Sequence, residues 1–210
     1  MPSPRKLGLI GDIHAEDLLL ERAIEALLGH GVEQILAVGD VVDGQGDVNR
    51  CIELLERHGV LCVRGNHERW ILNDSARTLP HAHRLDDLSP ASRTYLRGLP
   101  ATRTIATAAG VLLLCHGLGG NDMVGVKPDD VARELEQNDV LQELLLRREF
   151  DLIVNGHTHK PMDRVVRGVR GGSARIINAG TLYREHEPCY VVLDLDTPQA
   201  SFYPLETTGL

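Results

Sequence analysis

The 210-residue chain is poor in aromatic side chains: one Trp, two Phe and four Tyr make up 3% of it. With hydrophobic content at 42%, a core must be built from Leu, Val, Ile and Ala rather than from stacked rings. Positive charge is also short, since 22 Lys and Arg stand against 30 Asp and Glu for a formal net charge of −8. That argues against a protein that coats nucleic acid or an anionic membrane by bulk electrostatics. A phosphate substrate is still compatible with it, because a bound cation reverses the local field. The four cysteines (Cys51, Cys62, Cys115 and Cys189) form no CxxC pair and no zinc-finger spacing. They read as reduced, buried thiols in a cytoplasmic protein, and Cys115 as a small strand residue rather than a nucleophile. No apolar run approaches membrane-spanning length, and the one at Leu7 to Ile10 stops at Asp12, too soon for a signal peptide. The length suits one domain or one with a small insertion, taken as a single unit over residues 1–210.

Against these absences stand five short motifs in a fixed order. They are Gly11-Asp12-Ile13-His14, Gly39-Asp40-Val41-Val42-Asp43, Gly65-Asn66-His67-Glu68, Cys115-His116-Gly117 and Gly156-His157-Thr158-His159. They hold five of the ten histidines, and three of them directly follow an apolar run. The first hundred residues alternate strand and helix patterns: strands at Leu7 to Ile10, Gln34 to Val38 and Val60 to Val63, with helical stripes at Leu20 to Leu27 and Val48 to Leu55. A βαβαβ order implies a parallel sheet, and ligands at its strand ends converge at one edge. Ser89-Pro90 starts a helix, and a hairpin turns at Ala109-Gly110. Pro128 to Arg148 reads as one helix with an apolar stripe through Val131 and Leu135. Strands at Leu152 to Val154, Val165 to Val169, Arg175 to Ile177, Tyr190 to Leu195 and Ser201 to Tyr203 complete a second, mixed sheet. The expected fold is α/β, a four-layer αββα sandwich.

The donors are hard oxygens and imidazoles with no thiolate, which suits borderline divalent ions such as Mn²⁺, Fe²⁺ or Zn²⁺. His157 and His159, two residues apart, cannot share a helix face. On an extended loop both can point inward, and the preceding glycines allow the tight turns such loops need.

The ordered set GD-x-H, GD-x-x-D, GNHE, CHG, GH-x-H resembles the calcineurin-like metallophosphoesterase superfamily, from Asp12 to His159. The resemblance implies Asp12, His14 and His159 on one metal, Asn66, His116 and His157 on a second, and Asp40 bridging them. It makes His67 the phosphate-contacting histidine that assists the leaving group. Two cations roughly 3.5–4 Å apart repel, which a shared carboxylate offsets, and a water bridging them becomes hydroxide near neutral pH. Asp43 would orient His67 or a ligand histidine. Mn²⁺ is the expected ion, with Fe, Zn, Ni or Co also suited. Ser/Thr protein phosphatases of this superfamily carry arginine after the second motif's aspartate; here that residue is Gly44, and Ala15 replaces the glycine usual after the first motif. The chain is more similar to the small YfcE-type bacterial and archaeal phosphodiesterases. The resemblance implies a metal-dependent phosphodiesterase acting on a small phosphoester or nucleotide-like substrate. A protein phosphatase or dinucleoside tetraphosphatase is the alternative on the same fold, and a non-catalytic scaffold is disfavoured because His67 and every ligand position are present. Nothing favours a membrane or nucleic-acid partner, and no motif bears on oligomeric state.

Residues outside the motifs divide. Arg64 either reaches a substrate phosphate with both arms of its guanidinium or pairs with a helix carboxylate. Asn121 and Asp122 form an Asx turn or line the pocket, the turn being preferred. Arg164, Arg167, Arg170 and Arg175 form either a phosphate-attracting rim near His159 or a solvated hairpin whose charges deter edge pairing, the hairpin being preferred. His30 and His58 read as helix-end residues, and His81 and His83 as having no special role. Asn178 and His186 follow strands near the same rim and carry no assignment, His186 reading as slightly the more ordinary of the two.

Overall fold

The structure is a computed structural model, and residues 3–208 are described. In chain order the elements are β1 (Lys6–Ile10), α1 (Asp17–Gly29), β2 (Gln34–Ala37), α2 (Val48–Arg57), β3 (Leu61–Cys62), α3 (Asn66–Leu72) and α4 (Pro90–Gly98). They continue with β4 (Thr102–Thr107), β5 (Gly110–Cys115), α5 (Ala132–Gln137), α6 (Asp139–Arg147), β6 (Leu152–Asn155), β7 (Met162–Arg167), β8 (Ser173–Asn178), β9 (Cys189–Asp194) and β10 (Gln199–Pro204). Two five-stranded mixed sheets result, ordered β10-β9-β1-β2-β3 and β4-β5-β6-β8-β7.

Three aliphatic layers hold the sandwich together, as the scarcity of rings requires. Leu7, Leu9, Leu36, Val38 and Val63 of the first sheet meet Leu112, Leu114, Leu152, Val154 and Ile177 of the second. On the outer face of the first sheet, Leu20, Ile24 and Leu27 of α1 and Cys51, Ile52 and Leu55 of α2 pack on Ile10, Ile35 and Val192. Leu141 and Leu145 of α6 cover Leu113, Ile153 and Ile176 of the second. β1 alternates between these layers with the period of two that strands impose, and Gly8 leaves room for Leu27.

Three expectations need correcting. β9 and β10 belong to the first sheet: β9 pairs antiparallel with β1, Leu9 opposite Val191, and β10 extends that edge. Both faces of β9 are covered, so its continuous apolar run reads the same in either sheet. The stretch 128–148 is two helices, broken at Asn138, whose side-chain oxygen accepts from Leu141 N at 3.0 Å and caps α6. Asn favours a cap over a helix interior because its side chain competes for backbone partners. Val131 accordingly lies before α5 and is exposed. Only Leu61–Cys62 of the third expected strand enters the ladder, with Leu36 and Ala37 as partners.

The chain's return from β8 to β9 positions the site. Gly180 O accepts from Asp12 N at 3.3 Å, and Leu182 N donates to Asp12 O at 2.8 Å. The two sheets are thereby stitched at the carboxyl end of β1.

Candidate metal centre

Every motif falls at the carboxyl end of a strand or just beyond it: Asp12 and His14 after β1, Asp40 and Asp43 after β2, Asn66 opening α3 after β3, His116 after β5, and His157 and His159 after β6. The backbone there is strained. Six of the ten described non-glycine residues with positive φ lie in or beside these loops: His14, Ala15, Asp40, Asp43, His157 and His159. Such conformations cost on the order of 1–3 kcal/mol each and persist only where surrounding contacts dictate them. Asp40 O takes two of those contacts, from Ile13 N at 3.0 Å and His14 N at 2.7 Å. Ala15, in place of glycine, adopts φ +55° and donates its N–H to Val41 O at 2.8 Å. Close approach explains two motif glycines: a Cβ on Gly65 would lie 2.1 Å from Asp40 Oδ1, and one on Gly156 2.8 Å from Asp12 Oδ1.

Electron pairs converge in the middle. His14 Nδ1 donates to Asp43 O at 2.9 Å, which leaves the Nε2 lone pair aimed inward; His159 Nε2 meets it at 3.1 Å. His116 Nδ1 donates to Val38 O at 2.9 Å, and its Nε2 faces Asn66 Oδ1 at 2.9 Å and Asp40 Oδ2 at 3.2 Å. His157 Nδ1 lies 3.1 Å from the same Asn66 oxygen. Asp12 Oδ2, wholly buried, has no hydrogen-bond partner. An orphaned buried carboxylate oxygen is costly, and a cluster of acceptors facing acceptors has no internal remedy except protons or cations. Donor atoms of Asp12, Asp40 and His116 lie within 4.8 Å of one another, as do those of His14, Asp40 and His67. Asp40 is common to both groups, so its carboxylate could stand between two cations, with the His67 ring beside one of them.

Charge states agree with this arrangement. Burial pushes the Asp12 carboxyl up to about 7. Burial disfavours a charged His116, but the adjacent Asp40 and Asp12 outweigh it and raise the imidazole to about 10. A proton thus balances two carboxylates where a divalent ion can replace it. Burial, reinforced by the neighbouring His14, pushes His159 down to about 3, and burial also lowers His14 and His157. Neutral imidazole is the form that binds metal.

An outer layer fixes these groups. Asp43 is saturated: its Oδ1 accepts from Arg77 at 2.8 Å and His83 N at 2.8 Å, and its Oδ2 from Arg77 at 2.9 Å and His67 Nδ1 at 2.7 Å. This turns His67 Nε2 toward the cluster, 3.9 Å from Asp40 Oδ2. The buried Glu68 carboxylate collects the N–H groups of Gly65, Asp40, Val41 and Val42 at 2.6–3.1 Å. His159 Nδ1 lies 2.8 Å from His186 Nδ1, and Asn178 Nδ2 donates to Gly156 O at 2.6 Å.

Residues 6–198 match the model of the calcineurin-like phosphoesterase superfamily domain. The chain belongs to that superfamily. Among solved structures, a Sphaerobacter thermophilus metallophosphoesterase superposes with TM-score 0.67 at 20% identity, covering 97% of this chain and 88% of its own. YfcE, a phosphoesterase from E. coli, gives 0.52 at 20% identity, covering 96% and 100%. Both share the fold. Serine/threonine-protein phosphatase 1 of Salmonella typhimurium is 33% identical over 73 residues, 34% of each chain. The chain spans 27–34% of the length of the curated relatives it matches. The superfamily binds divalent metals, in keeping with the donor groups already described.

Within this calcineurin-like frame several sequence expectations resolve. Glu68 was legible, because it closes the third motif, yet only its four backbone donors reveal its role. Arg77 and His83 carried no sequence signal; His83, expected to have no special role, touches the site, as does His186, which the sequence placed near the rim without a role. Gly44 packs so tightly that a Cβ would stand 1.7 Å from His14 O; no side chain enters there while His14 keeps its place. Arg64 donates its N–H to Pro100 O at 2.8 Å; among the described residues its guanidinium makes no ion pair, and it does not line the cavity beside the ligands. Asn121 forms the Asx turn, accepting from Met123 N and Val124 N, while Asp122 pairs with Arg69 at 2.6 and 2.8 Å. Arg175 pairs with Asp163 across the hairpin, and Arg164 caps the carbonyls of Lys127, Pro128 and Asp130. All four cysteines are free and buried, and no helix among the described residues is long and apolar enough to cross a membrane.

Proposed function

We propose that the protein is a metal-dependent phosphodiesterase acting on small or nucleotide-like phosphoesters. The observation that carries this reading is the unpartnered Asp12 Oδ2 amid converging lone pairs, a donor set that only cations or protons can satisfy. Asp12, His14, His159 and Asp40 would hold one ion, and Asp40, Asn66, His116 and His157 the other. When bound, such ions supply Lewis acidity toward phosphate oxygens and lower the pKa of water. Mn²⁺ is the proposed ion, because oxygen and imidazole donors without thiolate suit it. His67 contacts the phosphoryl group and protonates the departing oxygen. Asp43 fixes its tautomer and holds Nε2 toward the cluster. Four unpaired, buried thiols support a cytoplasmic setting.

A phosphoprotein or dinucleoside tetraphosphate substrate is the competing reading. The contact between Gly44 and the His14 backbone argues against the first, since it excludes an arginine at the position where such phosphatases carry one. The test is a substrate panel run with Mn²⁺, Ni²⁺, Mg²⁺ and Zn²⁺. Bis-p-nitrophenyl phosphate should be cleaved in preference to p-nitrophenyl phosphate, a phosphopeptide and diadenosine tetraphosphate. Preference for the phosphopeptide overturns the diesterase reading, and inactivity with every ion overturns the enzymatic one.

A further inference from the structure

The chain's one tryptophan lies beside the metal-ligand cluster. Trp70 follows His67 by three residues on α3, so both project from one face, and their ring centroids are 4.6 Å apart. Tyr183 stands beside His14, its ring 5.4 Å from the imidazole. Leu79 and Pro80 line the same cavity. A cavity of about 310 Å³ lies among these residues, and His14, Asp43, Gly44, His67, His81 and His159 complete its lining. Its size is at the lower end for small-molecule sites, about 300–1,000 Å³.

The lining selects a kind of occupant. It contains no Lys, Arg or Glu. Its one carboxylate, Asp43, already accepts four hydrogen bonds, two of them from Arg77. A charged arm would therefore be desolvated without a partner, which is costly. Leu79 is 40% exposed, and Trp70 is half-buried, so apolar surface is available at the mouth. A flat ring laid against an indole or a phenol gains stacking as well as burial. In a chain with only seven aromatic residues, two of them meet at this one cavity. His67 belongs to the same wall, so a ring seated here is attached to the oxygen that His67 faces.

The geometry points to a subsite for a flat aromatic ring carried on the departing oxygen of the phosphoester, a nucleobase or an aryl group, with Trp70, Leu79 and Tyr183 as its specificity-determining residues. This inference rests on the phosphodiesterase reading for the identity of the ester, but its test does not depend on turnover. Because Trp70 is the sole tryptophan, intrinsic tryptophan fluorescence reports this cavity alone.

Protein reconstituted with Mn²⁺ is titrated with AMP, phenyl phosphate and ribose 5-phosphate. The two ring-bearing ligands should quench Trp70 and saturate at concentrations roughly tenfold or more below ribose 5-phosphate, the size of one lost base–aromatic stack. The order of AMP and phenyl phosphate separates a nucleobase from a simple aryl ring. Leu79→Ser, an exposed change that keeps the fluorophore, should weaken the ring-bearing ligands several-fold and leave ribose 5-phosphate unchanged. Trp70→Leu, followed by calorimetry, should bring AMP to the level of ribose 5-phosphate, and Trp70→Phe should restore most of the difference. Equal affinity for all three ligands, or undiminished selectivity in both Leu79→Ser and Trp70→Leu, overturns the inference. Ring selectivity in a protein that cleaves no ester would overturn the phosphodiesterase reading alone; hydrolysis without ring selectivity would overturn the subsite alone.

Discussion

The ligand loops and the segment 73–84 face each other across the same cavity, and both are strained. Six left-handed non-glycine residues lie in or beside the loops; three more, Asp74, Ala76 and His81, lie in the segment. What holds them differs. The loops are fastened to one another by their own motif residues, by Asp40 O on two successive N–H groups, by the Glu68 carboxylate on four, and by Gly65 and Gly156 packed against carboxylate oxygens. The segment is tied to the site chiefly through the Arg77 fork on Asp43 and the His83 N–H and ring. Glycines required by close approach and a carboxylate buried on four N–H groups leave little choice of residue, so they write a fixed short motif. A fork reaching in from an irregular segment can start from many positions and writes none. The chemistry therefore resides in the half that carries the five motifs, and the cavity wall in a half that carries none.

That contrast can be broken from either side. The largest expected effect comes from Asp40→Asn, which removes the carboxylate shared by both donor groups. Activity on bis-p-nitrophenyl phosphate should fall about a thousandfold, the upper range for losing a group that stabilises transition-state charge, and bound metal measured by elemental analysis should drop. Retained metal with full activity would sink the bridging assignment.

His67→Gln should follow. General-acid assistance is worth about 10²–10⁴-fold, so alkyl esters should lose that much in kcat, whereas nitrophenyl esters, whose oxygen departs without a proton, should lose far less. The pH dependence follows the same logic. Burial lowers the His67 pKa, but its bond to Asp43 and the nearby Asp40 outweigh this and raise it above the ordinary value. Activity on alkyl esters should thus decline as pH rises through that raised value, and Asp43→Asn should move the decline to lower pH. An unmoved alkaline limb would remove Asp43 from the mechanism.

Arg77→Met probes the segment. Groups that orient a site residue typically contribute 10–100-fold, and the loss should again be concentrated on alkyl esters, because Arg77 acts through Asp43 and His67. Arg77→Lys should not rescue it, since an ammonium cannot reproduce the two-bond fork. Equal losses on every ester would point to a general folding defect instead. Smallest is Asn138→Ala, which removes the cap of α6 and a 3.2 Å bond to Gly125 O while touching no ligand itself. Losing this cap should cost about 1 kcal/mol, visible as a lower Tm, with kcat/KM within twofold of the parent; a larger kinetic effect would show that α6 reaches the site.

Much of the fold was legible because its signals are local. Apolar runs ending in glycine located β1, β2 and β6, and helical stripes located α1 and α2. Where the signal depended on a distant partner, reading failed: β9 is apolar on both faces and says nothing of which sheet it joins. The break at Asn138 did have a local signature, an Asn-Asp pair suited to a helix start, but the flanking apolar stripe masked it. At the site the donor atoms could be named from the motifs, whereas Arg77, His83 and His186 could not, since each is an ordinary residue on an irregular segment.

By itself, the sequence determined which atoms are available and which local turns present them, because ligand type, spacing and motif glycines are short-range properties of the chain. Only the tertiary structure decided that these atoms meet. His14 and His159, 145 residues apart, come within 3.1 Å because two sheets pack through an aliphatic layer with their ligand-bearing strand ends together. It alone turned Trp70 and Leu79 toward that meeting point, since the direction of a side chain is set by what its backbone packs against.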